Sequence, residues 1–450
     1  MNALEMYYSG DWMVTRFDGH TDLWNTKPPL MIWLQTVFMH ILGPNEMAVR
    51  LPSALAAFST CALILFFCWK YLRNFWLGFF SVMILATSTA YITVHCARTG
   101  DYDSMLIFFI VAYCLSFFNF LESGQNKWIY LTATAIILAV LTKGIAGVMF
   151  LPGLLILVFV QKKQKQVAKN KHLYFATAIA LFFSVGWFIL REIAEPGYLD
   201  AVWKNDMGGR YTEVIEHHEQ PFAYYFFQLF DRNVFAWAWL SIAGFIAGFL
   251  HKNEKVRKFN LLLLISALSY LLFISLSATK TEWYSAPLFP FLAIAAGISF
   301  SALPSLFPEL NEKRTGALLL FKIALLLFIF LPEYSELLKK TQISPGTQVA
   351  RPAYFLPNYL RQLTDHNDTL DNPVILINHY APDVLFYKRL MEKQSGQEIE
   401  TKNADELAAG DNVTTQYNPE WEGLDKKYVY DHYYTAHDIF FFNVTAIKQP

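Results

Sequence analysis

Charge is what this 450-residue chain has least of: 16% of its residues are Asp, Glu, Lys or Arg, against 54% hydrophobic and 17% aromatic. A soluble domain usually carries about 25% charged residues. A deficit this large over this length excludes a disordered chain and argues for lipid as the solvent. Cysteine is also scarce. Cys61, Cys68 and Cys114 lie inside apolar runs and Cys96 at the end of one, with no CxxC, so neither a disulfide scaffold nor a thiolate metal site is expected. A formal net charge of -1 gives no basic footprint, so no nucleic acid is expected as a partner.

The charges that remain are unevenly placed. Residues 51–69, 74–94, 104–121, 144–160, 173–190, 233–250 and 259–278 contain none. Each is about the length a helix needs to cross the hydrocarbon core. Residues 128–142, 283–302 and 316–332 add three more spans, the last broken only by Lys322, giving about ten transmembrane helices. The connectors 70–73, 122–127, 161–172, 251–258 and 303–315 collect Lys and Arg, among them Lys162, Lys163, Lys165, Arg257, Lys258 and Arg314. The positive-inside rule makes these cytoplasmic. Residues 1–47, 95–103, 191–232, 279–283 and the chain after 333 then face outwards.

The predicted architecture is mainly α: a polytopic helical membrane domain over 1–340, whose residues 1–47 form an outward loop with short helices, then a small outward α/β domain over 341–450. In that tail, residues 373–378 read as a strand and about 382–393 as a helix.

Polar motifs gather on the outer side. They include Ser9-Gly10-Asp11-Trp12, Asn25-Thr26-Lys27-Pro28-Pro29, Arg98-Thr99-Gly100-Asp101-Tyr102-Asp103, Asp206 to Arg210, Glu216-His217-His218-Glu219 and Lys280-Thr281-Glu282-Trp283-Tyr284. The inner loops hold no comparable set. A transporter or lipid flippase should show internal repeats and broken or ionisable helices near the midplane. No repeat is visible, and the charges sit at one face. A scaffold displaying the tail would not need acids and cations on one side.

The stretches SGDWMVTRFDGHTDLWNTKPPLMIWLQ and GPNEMAVRLPSAL resemble the membrane glycosyltransferases of the protein O-mannosyltransferase and lipid A aminoarabinose-transferase group, which have the GT-C fold. The resemblance continues through ARTGDYDSML, LTKG at Leu141–Gly144, QPFAYYF and KTEWYSAPLFP, and covers roughly residues 5–300. It implies transfer of a sugar from a polyprenyl-phosphate carrier to an acceptor hydroxyl, on a glycolipid such as lipid A or on protein Ser/Thr, at the periplasmic face of a bacterial inner membrane. No GxGxxG nucleotide site is needed for such a donor.

The chemistry asks for matching residues. Single displacement at the anomeric carbon needs a base beside the acceptor hydroxyl and positive charge on the departing phosphate. Phosphate is already a good leaving group, so no strong general acid is required. Asp103 is the expected carboxylate, with Asp101 as its partner. It directly precedes an apolar span and matches the family's second acidic position. Lys27, Arg98, Arg210, Lys280 and Tyr284 are the expected carrier-phosphate contacts. His217 and His218 are expected to touch the acceptor or to form part of the loop. Adjacent histidines in an extended loop point different ways, so their metal reading is weak, and a divalent cation is left open. The lipid A branch carries Glu before the lysine; here Thr26 stands there, which weakens the case for a metal further.

The family's first acidic motif, an Asp-Glu pair that resembles its general base, stands after a first membrane helix and shortly before the SGDW equivalent. Here Ser9 is too near the start for either. Either the start was assigned too late, which is the expectation, or the chain is a genuine degenerate form with little activity. DNA upstream of the start codon should encode, in frame, a hydrophobic helix followed by the acidic pair; an in-frame stop just before Met1 would overturn this.

Overall fold

The computed structural model describes residues 1–93, 95–214, 218–302, 315–341, 355–378, 380–416, 423–436 and 439–448. The chain divides into two compact units: residues 9–15 with 21–341, and residues 1–8 and 16–20 with 342–450.

The larger unit is helical. Among the described residues, six helical segments are long and apolar enough to cross a membrane: Glu46–Lys70, Asp103–Ser123, Lys127–Val148, Lys171–Ala194, Glu254–Leu276 and Glu282–Ser301. Leu30–Leu42, Phe75–Ala86, Leu151–Val160 and Ala238–Leu250 are shorter apolar helices. A further helix spans Thr315–Thr341. Local chemistry sets the starts. Asn45, Asn74, Asn170 and Asn253 each stand just before an apolar run and accept a hydrogen bond from a first-turn N–H, satisfying a donor that the helix leaves orphaned.

Several runs that read as single spans are broken. Residues 74–94 form Phe75–Ala86 and Thr89–Thr93, separated where the Thr87 and Ser88 hydroxyls donate back to Met83 and Ile84 carbonyls. Such back-bonding competes with the helix ladder. Residues 144–160 form a 3-10 turn, Gly144–Val148, and then Leu151–Val160, with Gly144 at φ +56 and Pro152 in the first turn. Residues 1–47 contain an apolar helix of 13 residues, Leu30–Leu42, which begins directly after Pro29.

Asp103–Ser123 and Lys127–Lys143 form a tight helical hairpin. Gly124 turns it in the left-handed conformation at φ +70, donating its N–H to the Phe120 carbonyl, the usual glycine stop. Asp103–Ser123 is the most buried of the long helices, and its Phe118, Phe120 and Leu121 anchor the core with Phe67 and Phe259.

The second unit holds a five-stranded sheet in which Val374–Leu376 pairs in parallel with Glu400–Lys402 and Asn412–Thr415, while Ile439–Ile447 pairs antiparallel with Asn412–Thr415 and Tyr428–Ala436. Phe355–His366 and Pro382–Ser395 are its main helices. The strand and helix expected in the tail are thus Val374–Leu376 and Pro382–Ser395. Residues 1–8 and 16–20 group here rather than with the membrane helices. The cause is specific pairing: Glu5 is buried and meets Arg389, Asp18 meets Lys388, and Phe17 stacks on Tyr380.

Gly244 and Gly248 form a GxxxG pair on Ala238–Leu250, the spacing that lets helices approach closely in lipid. A Cβ at Gly244 would lie 1.7 Å from the Ala295 carbonyl oxygen, and one at Gly248 2.3 Å from Asn260 Cγ. Gly244→Val should therefore force the helices apart and cost about 1–3 kcal/mol. Detergent denaturation of the purified protein should show a lower midpoint; an unchanged midpoint would refute this close packing.

Candidate functional site

The NTKPP segment is set by a turn. Asp22 Oδ1 accepts the Trp24 and Asn25 N–H groups at 3.0 and 2.9 Å, an Asx turn. Asn25 Nδ2 then donates to the Tyr102 hydroxyl at 2.8 Å. Thr26 is fully buried: its hydroxyl donates to Asp206 and its carbonyl accepts from the Tyr198 hydroxyl at 2.7 Å. Lys27 Nζ reaches Asp206 Oδ1 at 3.2 Å, with each side chain about a fifth exposed. Asp206 sits on the π-helical turn Trp203–Met207, and neighbouring Asn205 donates to the Leu23 carbonyl.

Arg210 follows on the next turn. Its Nε donates to the Asn205 carbonyl at 2.8 Å and its Nη1 to the Tyr284 hydroxyl at 3.4 Å, and its guanidinium lies 6.0 Å from the Trp24 ring. Lys27, Arg210 and Tyr284 are thus joined through Asn205 and Asp206. A cavity of about 510 Å³ opens beside them, lined by Trp203, Asp206, Gly208, Tyr211, Thr212 and Phe273 among others.

Two expected cations sit differently. Arg98 is exposed and donates to the Thr341 carbonyl at 2.9 Å, capping the helix Thr315–Thr341, where a positive charge complements the helix dipole. Lys280 is buried, and its ammonium donates to the Ser277 carbonyl while its N–H reaches the His218 carbonyl. Burial pushes its pKa below the ordinary lysine value, opposed by the Glu219 charge.

The acids lie where the loop after Thr89–Thr93 meets the helix Asp103–Ser123. Gly100 lets this loop press on the helix Glu46–Lys70: a Cβ there would lie 2.5 Å from Val49 Cγ1. Gln35 clamps it by donating to the Gly100 and Val49 carbonyls, and Ser53 donates to the Asp101 carbonyl. Asp103, 2% exposed, begins its helix and accepts from Lys143 Nζ at 2.6 Å; its other oxygen, Oδ2, has no partner among the described residues. Asp101 accepts from His95 and, at 2.7 Å, from the Tyr102 N–H. Burial alone would raise its pKa, but the His95 hydrogen bond, the Lys143 charge and the Tyr102 N–H outweigh it and hold the carboxyl below its ordinary value.

The His95 ring stacks on Trp283 with centroids 4.0 Å apart. Trp283 lines a second cavity, about 580 Å³, with Tyr224, Phe227, Gln228, Asp231 and Glu282. The structure therefore brings Lys27, Arg210 and Tyr284 together, and Asp101 with Asp103. The two groups are linked by the Asn25–Tyr102 hydrogen bond and by the run from His95 through Trp283 to Tyr284. His217 lies outside the described residues. His218 is described and contributes its carbonyl to the strand-like pairing beside Lys280. Among the described residues no group of three or more His, Cys, Asp or Glu is arranged to hold a metal.

Sequence reading missed Lys143, His95 and Asp206 as site residues. The LTKG motif was the available signal for Lys143. Asp206 was visible only as part of a polar run, and His95 had no signal beyond its nearness to Asp101.

Residues 26–189 match the family described as dolichyl-phosphate-mannose-protein mannosyltransferase. The undecaprenyl phosphate-alpha-4-amino-4-deoxy-L-arabinose arabinosyl transferase of Aeromonas hydrophila is 26% identical over 303 residues, 64% of this chain and 52% of that protein. The putative mannosyltransferase YycA of Bacillus subtilis is 27% identical over 170 residues, 37% of this chain and 24% of that protein. The chain thus spans about half the length of the first relative and about a quarter of the second. The crystal structure of ArnT from Cupriavidus metallidurans bound to undecaprenyl phosphate superposes with a TM-score of 0.73 at 17% identity, covering 98% of this chain and 92% of that one. That likeness shows a shared fold, the polytopic GT-C architecture. The resemblance visible in the motifs is thus matched by the family, the relatives and the fold alike.

The Asp103–Lys143 pair gives a direct test. Removing one partner of a buried ion pair leaves the other charge uncompensated, at a cost of about 3–5 kcal/mol. Lys143→Met should show this loss in detergent denaturation, and Asp103→Asn combined with Lys143→Met should recover most of it. A fully stable single variant would contradict the pairing.

Proposed function

We propose that this chain is a glycosyltransferase that takes a sugar from a polyprenyl-phosphate carrier and places it on an acceptor hydroxyl. The observation that carries this reading is the clustering of Lys27, Arg210 and Tyr284 within one helical unit, next to the loop that bears Asp101 and Asp103. A departing phosphate needs the first set, and an attacking hydroxyl needs the second. The family match over residues 26–189, the arabinosyl transferase relative and the fold shared with a protein that binds undecaprenyl phosphate all support it.

The reaction is an inverting single displacement. The phosphate oxygens take the place of Asp206 on Lys27 and receive the Arg210 guanidinium and the Tyr284 hydroxyl. Lys280, whose ammonium is tied to a backbone carbonyl, shapes the loop beneath Tyr284. The polyprenyl chain lies against apolar helices open to lipid. Asp101, partly exposed, serves the acceptor side; Asp103, buried against Lys143, fixes the field around it. The acceptor is a glycolipid or a protein Ser/Thr hydroxyl. The basic connectors support a site on the periplasmic face of the inner membrane.

The test is transfer from undecaprenyl-phosphate-linked mannose and undecaprenyl-phosphate-linked aminoarabinose to envelope extracts, by full-length protein. Wild type should transfer from one of them. Lys27→Ala should raise the donor KM by about tenfold or more, the loss of one charge-assisted hydrogen bond. Asp103→Ala should lose most of the transfer. Equal, robust transfer by wild type and both variants would refute the assigned site.

A further inference from the structure

His95 stands out on four observations. Its backbone is left-handed at φ +49, a conformation that costs a non-glycine residue about 1–3 kcal/mol and persists only where the surroundings enforce it. Its Nδ1 bonds Asp101 Oδ2, while the other Asp101 oxygen is fixed by the Tyr102 N–H. Its ring stacks on Trp283 at an interplanar angle of 30°, and Trp283 is a wall residue of the cavity of about 580 Å³. Its side chain remains 42% exposed, and Nε2 has no hydrogen bond among the described residues. A carboxylate on Nδ1 selects the tautomer that carries its proton there and leaves the Nε2 lone pair free. Asp101 and Trp283 therefore hold a partly exposed base with Nε2 unbonded among the described residues, against a wall residue of the cavity.

We propose that in this chain His95, oriented by Asp101, takes the proton from the acceptor hydroxyl, in place of the acidic pair that the family resemblance implies. This rests on the glycosyl-transfer reading above and names its acid–base group. As the acceptor oxygen forms its bond to the anomeric carbon, its proton passes to His95 Nε2. The bond from that carbon to the phosphate oxygen breaks, and its electron pair leaves with the polyprenyl phosphate. The imidazolium then returns the proton to water.

The charges around the ring suit this role. Asp101 faces it directly. Asp103 and Lys143 lie behind Asp101 and compensate each other. Glu282 and Asp231 line the cavity from the Trp283 side, and Tyr284 meets Trp283 edge-on. Asp101 keeps its hydrogen bond to Nδ1 as the proton arrives at Nε2. The contact from Trp283 to Tyr284, and from Tyr284 to Arg210, places the ring close to the groups assigned to the leaving phosphate.

The test uses full-length protein in detergent with the two undecaprenyl-phosphate-linked donors, and kcat and KM measured from pH 5 to 9. His95→Gln should lower kcat by about 10²–10⁴-fold with little change in donor KM, and the acid limb of the wild-type pH profile should vanish. Asp101→Asn should lower kcat while keeping that limb. A His95→Gln variant with wild-type kcat, or with reduced kcat and an intact acid limb, would overturn the proposal. A second measurement needs no donor. Diethylpyrocarbonate should modify His95 Nε2 in the folded wild type, and more slowly in Asp101→Asn. An unmodified His95 would overturn the geometry. Failure of wild type to transfer from either donor would refute the glycosyl-transfer reading, and the modification experiment would still decide whether His95 is an oriented base.

Discussion

The ion pair between Asp103 and Lys143 is the contact on which the rest of the site is built. Asp103 opens one helix of the hairpin and Lys143 closes the other. Each charge thereby meets the favourable end of its helix dipole, the acid at an N-terminus and the base at a C-terminus. The 21-residue helix between Asp103 and the hairpin turn is about 30 Å long at 1.5 Å per residue. The pair thus lies at the far end of the hairpin from Gly124. Two residues before it stand Asp101 and Tyr102, so fixing Asp103 also fixes the loop that carries His95 and the hydroxyl that Asn25 holds.

Around that anchor the cations are already partnered. Lys27 faces Asp206, and Arg210 shares the Asn205 carbonyl and the Tyr284 hydroxyl. An ammonium paired this way is stored at low cost in a partly dry site. In the proposed reaction the incoming donor is a phosphodiester with one charge, like the carboxylate it displaces, so exchange leaves no isolated buried cation; the second charge develops on the phosphate as it departs, and there the cations hold it most strongly. Thr26 matters here as an anchor. Its hydroxyl and carbonyl tie the lysine's backbone to Asp206 and Tyr198, and the Tyr198 ring carries Arg191 at 5.0 Å.

Much of this was legible in the sequence, for identifiable reasons. The charge-free runs and basic connectors reflect the cost of burying charge in lipid, which leaves a pattern along the chain. Lys27, Arg210 and Tyr284 stood in local motifs rich in Pro, Gly or aromatics. Where the reading fell short, the determinant was non-local or a backbone event. Lys143 looked like a helix-end lysine because Asp103 is 40 residues away. Arg98 and Lys280 carry the right charge, but helix-end and loop carbonyls take it up. The breaks near Thr87 and Gly144 come from hydroxyl back-bonding and a positive φ, neither of which alters hydropathy. Residues 1–8 and 16–20 gave no sign of their partners because those partners lie in the tail, more than 350 residues further on.

That last arrangement has a consequence for synthesis. Glu5, buried in the second unit, finds Arg389 across 384 residues of chain. At about 5–20 residues per second, the ribosome needs on the order of 20–80 s to deliver that partner. Throughout that interval the helical hairpins can insert and pack, while the first eight residues wait with an apolar face and an uncompensated carboxylate. The smaller unit therefore cannot make this pairing until Arg389 has been synthesised.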